Sequence, residues 1–213
     1  MKEISATLAA FGVVPVVVLN DPNEALPVAD ALLRGGLPVA EITFRTDAAE
    51  EAIRRITAHC PDLLVGAGTV LTTGQVDRAV AAGAQFIVCP GFDPEIVDYC
   101  IAKDIPIFPG CTTASEVAWG VKRGLRNLKF FPAEQCGGVA TIKALCAAYV
   151  GVRFMPTGGI GPKNLESYLA CDKILCCGGS WMVKGDLIRA GRFDEIERLA
   201  REAVEIVKAI RNS

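Results

Sequence analysis

Eight short apolar runs, each followed by a segment long enough for a helix, constrain this chain more than any other feature. They cover residues 13–19, 39–44, 64–67, 86–89, 105–108, 128–131, 153–156 and 174–177. A strand that is apolar at successive positions has no solvent face and must be covered on both sides. Such strands alternating with helices imply a parallel sheet flanked by helices. Eight units of this kind predict an α/β fold, a closed (β/α)8 TIM barrel. An open doubly wound sheet is the alternative, although no GxGxxG follows the first run to support a dinucleotide site.

Helix signals fall in the intervening segments. Asp21-Pro22 reads as an N-cap with proline at the first helical position. Thr72 with Gln75, and Thr113 with Glu116, have capping-box spacing. Gly35-Gly36 can end the first crossover helix. Ile196, Leu199, Ala200, Ala203, Val207 and Ile210 share one face of a last helix. The first eleven residues predict an extra N-terminal helix over the barrel floor. No linker divides the chain, so residues 1–213 are expected to form a single domain.

Charge and residue counts exclude several function classes. The net charge is -2, and no stretch is basic enough to follow a nucleic-acid backbone. No apolar run approaches the roughly 20 residues that span a bilayer. The N-terminus carries Glu3 and does not read as a signal peptide, so a cytoplasmic protein is expected, with no membrane partner. Nine cysteines, odd in number and without a CxxC pair, read as reduced, buried thiols. The one histidine, His59, cannot build a multi-histidine metal site and is expected on the surface, just past a helix end. Metal-free, cofactor-free chemistry is the default, though carboxylates alone could hold Mg²⁺.

In such a barrel the chemistry lies at the C-terminal ends of the strands. Lys129 stands there in the otherwise apolar run Leu128-Lys-Phe-Phe-Pro132. Strand alternation puts Lys129 and Phe131 on one face. Burial disfavours a lysine's charged form, and an interior amine can attack a ketone. The competing readings are a core ion pair or a frayed strand end. Glu41, Thr43 and Arg45 share one face of the second strand by the same alternation. An acid and a base directed inward are costly without a task or partners. Glu41 is the candidate general acid–base. Arg45 is the candidate carboxylate clamp. A purely structural Glu41–Arg45–Lys129 network remains the alternative. Thr157-Gly158-Gly159 and Gly178-Gly179-Ser180, at the ends of strands seven and eight, suggest an anion site.

These residues also carry a resemblance. Val14-Pro-Val16, Glu41-Ile-Thr-Phe-Arg-Thr46, Gly66-Ala-Gly-Thr-Val70 and Gly83-Ala-Gln-Phe86 belong to it. So do Lys129-Phe-Phe-Pro-Ala-Glu134, Pro156-Thr-Gly-Gly159 and Gly178-Gly-Ser-Trp181. In this order, over nearly the whole chain, they resemble the 2-keto-3-deoxy-6-phosphogluconate and 4-hydroxy-2-oxoglutarate aldolases. The resemblance implies a homotrimeric, metal-free (β/α)8 barrel without cofactors, acting on a small-molecule substrate in the Entner–Doudoroff route. It implies that Lys129 is the Schiff-base lysine and Glu41 the general acid–base. Arg45 and Thr69 match the residues that hold the pyruvate carboxylate. Pro90 and Phe131 match the apolar wall. Thr157, Gly158, Gly159 and Ser180 match the phosphate side. Cys111 and Gln135-Cys136 depart from the enteric pattern near the expected mouth. The aldehyde half of the substrate stays open among phosphogluconate, phosphogalactonate and hydroxyoxoglutarate compounds. Two rival readings are a phosphosugar epimerase or isomerase, and a silent barrel that only binds phosphorylated metabolites.

Overall fold

The computed structural model describes residues 2–211. Helix α1 (Lys2–Phe11) precedes the first strand. The strands are β1 (Val13–Val17), β2 (Val39–Thr43), β3 (Leu64–Gly68), β4 (Phe86–Val88), β5 (Ile107–Phe108), β6 (Asn127–Phe130), β7 (Arg153–Pro156) and β8 (Cys177–Gly179). Between them lie α2 (Ala25–Arg34), α3 (Ala49–His59), α4 (Thr73–Ala81), α5 (Pro94–Ala102), α6 (Ala114–Lys122), α7 (Gly138–Ala148) and α8 (Leu165–Leu169). After β8 come α9 (Gly185–Arg189) and α10 (Phe193–Arg211).

Six strands form one curled parallel sheet in the order β5-β4-β3-β2-β1-β8, and β6 pairs with β7. Single bridges join the two sheets on both sides. Gly110 bridges Lys129 beyond β5, while Phe154 bridges Ile174 and Thr157 bridges Gly178. The run at 174–177 is therefore not one uniform strand. Its first half stays beside β7, where Leu175 N–H donates to Phe154 O at 2.7 Å. Its second half crosses to β1, with Cys177 opposite Val13. This change of partner is why β8 starts three residues later than the apolar run does.

Local signals act largely as read. Thr113 and Glu116 make a full capping box on α6. Thr72 caps α4 through Gln75 N–H, but the Gln75 side chain reaches Leu71 N–H instead of closing the box. Asp21 with Pro22 and Glu24 caps a 3-10 turn, and α2 follows from it. Gly35 ends α2 with no room for a side chain, since a Cβ there would lie 2.6 Å from Ala200 Cβ of α10. Helix α10 buries Ile196, Ala200, Ala203 and Val207, while Leu199 and Ile210 are half-buried. Helix α1 sits at the N-terminal ends of the strands, where Asn127 Nδ2 donates to Ser5 Oγ at 2.9 Å. His59 belongs to the last turn of α3 rather than the loop beyond it, and it is exposed as expected.

The core holds two edge-to-face aromatic pairs, Phe130–Phe154 with centroids 5.8 Å apart and Phe86–Phe108 at 6.0 Å. All nine cysteines are free, and eight are buried, with Cys136 half-buried. Burial pushes the Cys89 thiol up from an ordinary value of 9.0 to about 12, and the Cys100 thiol to about 11. Cys111, Cys176 and Cys177 move the same way for the same reason.

Two outcomes follow. Phe154→Ala removes a fully buried ring and its edge-to-face contact with Phe130, and should cost about 3–5 kcal/mol in denaturant unfolding. The thiols give a pH signature with a definite sign. A buried thiol keeps its proton in the folded chain after the unfolded chain has lost it. Stability is therefore unaffected below about pH 9 and falls above it, by about 1.4 kcal/mol per pH unit for each such group. Cys89→Ala should make the decline between about pH 9 and about pH 12 shallower than in the parent protein.

Candidate active site

Two opposite charges meet inside the curled sheet. Lys129 on β6 and Glu41 on β2 are 3 % and 0 % exposed. Lys129 Nζ lies 3.3 Å from Glu41 Oε1. Strands β2 and β6 are not neighbours in either sheet. Side chains from them can touch only by pointing inward and crossing the interior. The Lys129 backbone is fixed on one side by the end of β5, since its N–H donates to Pro109 O at 2.9 Å and its carbonyl accepts from Cys111 N–H at 2.8 Å. On the other side it faces Met155 of β7. The frayed-end reading of Lys129 thus gives way to a buried ion pair.

The glycines of β3 make space for this pair. Glu41 is opposite Gly66, and a Cβ on Gly68 would stand 2.1 Å from Glu41 Oε1. A Cβ on Gly66 would strike the Phe86 ring at 2.2 Å. Glycine at these two positions therefore admits neighbouring side chains. The carboxylate is not fully engaged. Glu41 Oε2 is buried and has no hydrogen-bond partner among the described residues. An unsatisfied carboxylate oxygen in the interior is costly and marks a place where a further donor fits. The Phe131 ring stands 5.5 Å from Lys129 Nζ.

A cavity of about 520 Å³ opens at the strand ends, and it meets the pair through Phe131, since neither Lys129 nor Glu41 lines it. Its walls include Arg45, Phe131, Thr157, Gly158, Gly159 and Ser180. The two glycine-rich ends expected to form one anion site do meet there, joined by the Thr157–Gly178 bridge. Gly158 and Gly159 have φ of 102° and 77°, values that favour glycine and turn the chain over the cavity. Thr157 Oγ1 is buried without a partner among the described residues, and a Cβ on Gly178 would lie 2.3 Å from it.

Arg45 departs from the expectation of an inward base. Strand β2 ends at Thr43, so the two-residue alternation stops before Arg45. The side chain is exposed at the cavity wall, and its Nε donates to Thr69 Oγ1 at 3.2 Å. There is no Glu41–Arg45 ion pair among the described residues, so the buried three-residue network is not formed. Thr69 itself adopts φ 54°, an uncommon value for a side-chain-bearing residue. Pro90 lines an adjacent smaller pocket with Val70, Cys89 and Phe92, not the main cavity. Cys111 is fully buried with its thiol directed to Pro109 O, and so does not reach the mouth. Val16, Val18, Ile160, Val183, Lys184 and Asp186 also line the cavity and were missed. Lys184 is the N-cap residue of α9 and Asp186 lies in its first turn, so both reach the cavity from a helix start that carries no site motif.

Comparison with known proteins agrees with this geometry. Residues 4–199 match the family model described as KDPG and KHG aldolase. A 2-dehydro-3-deoxy-phosphogluconate aldolase of Treponema pallidum is 46% identical over 207 residues, 97% of this chain and 99% of the relative. A KDPG aldolase from Legionella pneumophila, crystallised with pyruvate captured as a covalent carbinolamine intermediate, superposes with a TM-score of 0.90 at 40% identity. The match covers 93% of this chain and 97% of that one. The Zymomonas mobilis enzyme with 3-phosphoglycerate gives a TM-score of 0.86 at 40% identity, over 95% of this chain and 94% of that one. Sequence and overall shape agree, and the chain belongs to the KDPG and KHG aldolase family.

Proposed function

We propose that this protein is a class I aldolase that reversibly cleaves 2-keto-3-deoxy-6-phosphogluconate to pyruvate and glyceraldehyde 3-phosphate. The observation that carries the reading is the buried Lys129–Glu41 pair, separated from the cavity at the strand ends by the Phe131 side chain. A primary amine held in the interior beside a half-satisfied carboxylate has little structural purpose. It suits carbinolamine chemistry, in which an amine must give up protons and an oxygen must take them.

The steps follow from that arrangement. Lys129 Nζ attacks the C2 carbonyl, forming a C–N bond while the carbonyl oxygen takes a proton. Loss of water leaves a cationic iminium. Glu41, directly or through water, removes the C4 hydroxyl proton. The C3–C4 bonding pair then flows into the iminium, giving an aldehyde and an enamine. Protonation at C3 and attack by water release pyruvate and return Lys129. Arg45 and Thr69, already hydrogen-bonded to each other, hold the pyruvate carboxylate at the rim. Phe131 forms the apolar wall, with Pro90 one pocket away. Thr157, Gly158, Gly159 and Ser180 receive the phosphate.

Several finer readings accompany this one. The eight strands, with bridges at both junctions, support a closed (β/α)8 barrel. One contiguous buried core supports a single domain over residues 1–213. The shared pyruvate half makes cleavage of 4-hydroxy-2-oxoglutarate to pyruvate and glyoxylate a secondary activity. The family resemblance supports a homotrimer and a place in the Entner–Doudoroff route, and nine free thiols suit a cytoplasmic setting. Among the described residues no helix is long and apolar enough to cross a membrane.

The test is incubation with pyruvate, reduction by borohydride and mapping of the adduct by mass spectrometry. The pyruvyl adduct is expected on Lys129 and lost in Lys129→Ala. A folded protein that takes no label would sink the Schiff-base reading and favour the isomerase or silent-binder alternatives. Glu41→Gln keeps the shape but not the proton acceptor, and kcat should fall by about 10²–10⁴-fold.

A further inference from the structure

The loop after β6 carries a second acid that the chemistry above leaves unused. Glu134 lies five residues past Lys129 and is held at both ends. Its backbone N–H donates to Gly158 O at 3.2 Å, next to an Ala133 N–H to Thr157 O bond of 2.8 Å. Its side chain turns back and accepts a hydrogen bond at Oε1 from the Tyr168 hydroxyl. Tyr168 comes from α8, the helix that follows the glycine loop of β7, and is 1 % exposed. A buried phenol needs a partner for its hydroxyl, and Glu134 is that partner. Burial, with the Glu134 contact, raises the Tyr168 pKa, so the phenol stays a donor through the neutral range.

Gly159 is enclosed by this contact. A Cβ on it would lie 2.5 Å from Glu134 Cγ and 2.8 Å from Glu134 Cβ. The Gly159 carbonyl accepts from Asn164 Nδ2 at 3.0 Å, just before α8. Loop, helix, tyrosine and carboxylate therefore close a ring around the two left-handed glycines whose backbone lines the cavity.

We propose that Tyr168 and Glu134 are positioning residues for the phosphate end of the cavity, holding the Gly158–Gly159 backbone in the conformation that receives the phosphorylated aldehyde half. This rests on the aldolase reading and on those glycines facing phosphate. The pair touches neither the reacting carbonyl nor Lys129. It acts on the substrate's far end, and loosening it changes recognition while leaving the bond-breaking machinery in place.

The experiment compares aldol addition of pyruvate to glyceraldehyde 3-phosphate and to unphosphorylated glyceraldehyde. Tyr168→Phe removes only the hydroxyl. KM for glyceraldehyde 3-phosphate should rise about tenfold, the scale of one charge-assisted hydrogen bond, with kcat and the unphosphorylated reaction unchanged. Glu134→Ala should do the same, and Glu134→Gln, which keeps the Oε1 acceptor, should restore the parent KM. If Tyr168→Phe fails to fold by its thermal melt, Glu134→Ala, altered at an exposed residue, is read in its place. Equal loss with both aldehydes, or no change with either, overturns the positioning role. Borohydride trapping of pyruvate on the parent protein separates the two ideas. A trapped adduct with an unchanged KM ratio overturns this role alone, whereas no adduct overturns the aldolase reading and this role with it.

Discussion

The buried contact between Lys129 and Glu41 is the constraint around which the rest of the interior is arranged. Placing two ionisable groups in a low-dielectric interior costs several kcal/mol each before their attraction is counted. The fold accepts that cost and then declines to satisfy the carboxylate fully, leaving Glu41 Oε2 without a partner among the described residues. Strands β2 and β6 must face each other across the interior for the contact to exist at 3.3 Å. Strand β3 must carry no side chain at position 68, where a methyl group would occupy the space of the carboxylate. A structural ion pair would be better served by a second hydrogen bond on Glu41. The missing one is what makes the pair look prepared for substrate or water.

The chain's periodicity made most of the architecture legible. Apolar runs with helix-length spacers located the strands, and capping residues such as Thr113 and Glu116 marked helix starts. Alternation within β6 put Lys129 and Phe131 on one face without saying which, and the structure turns Lys129 into the interior. The same rule failed at Arg45, because alternation holds only while the chain remains a strand and β2 stops at Thr43. A sequence does not print where a strand ends inside an apolar run. The 174–177 run misled for a related reason, since its residues divide their pairing between β7 and β1. Glycines carried a third ambiguity. Gly66 and Gly68 make room for side chains of adjacent strands, whereas Gly158 and Gly159 have left-handed backbones on the cavity wall. Both patterns look alike in one dimension. The contribution of Lys184 and Asp186 was invisible for want of any local signal, as it depends on where the start of α9 lies against the cavity.

Chemistry and recognition draw on different parts of the sheet. The amine and carboxylate come from β6 and β2, deep in the interior, while the cavity's glycine-rich wall comes from the ends of β7 and β8. The loop after β6 touches both. Phe131 stands over the lysine, and Ala133 and Glu134 hydrogen-bond the backbone of Thr157 and Gly158. Interactions with a remote, non-reacting part of a substrate can supply the binding energy that holds the reacting carbon against the nucleophile. In this protein one six-residue stretch, from Lys129 to Glu134, connects the two. The Gly158–Gly159 backbone is thereby tied to the loop that follows the lysine's strand. The glycine-rich wall and the Lys129–Glu41 pair are thus built on different strands and share only this loop.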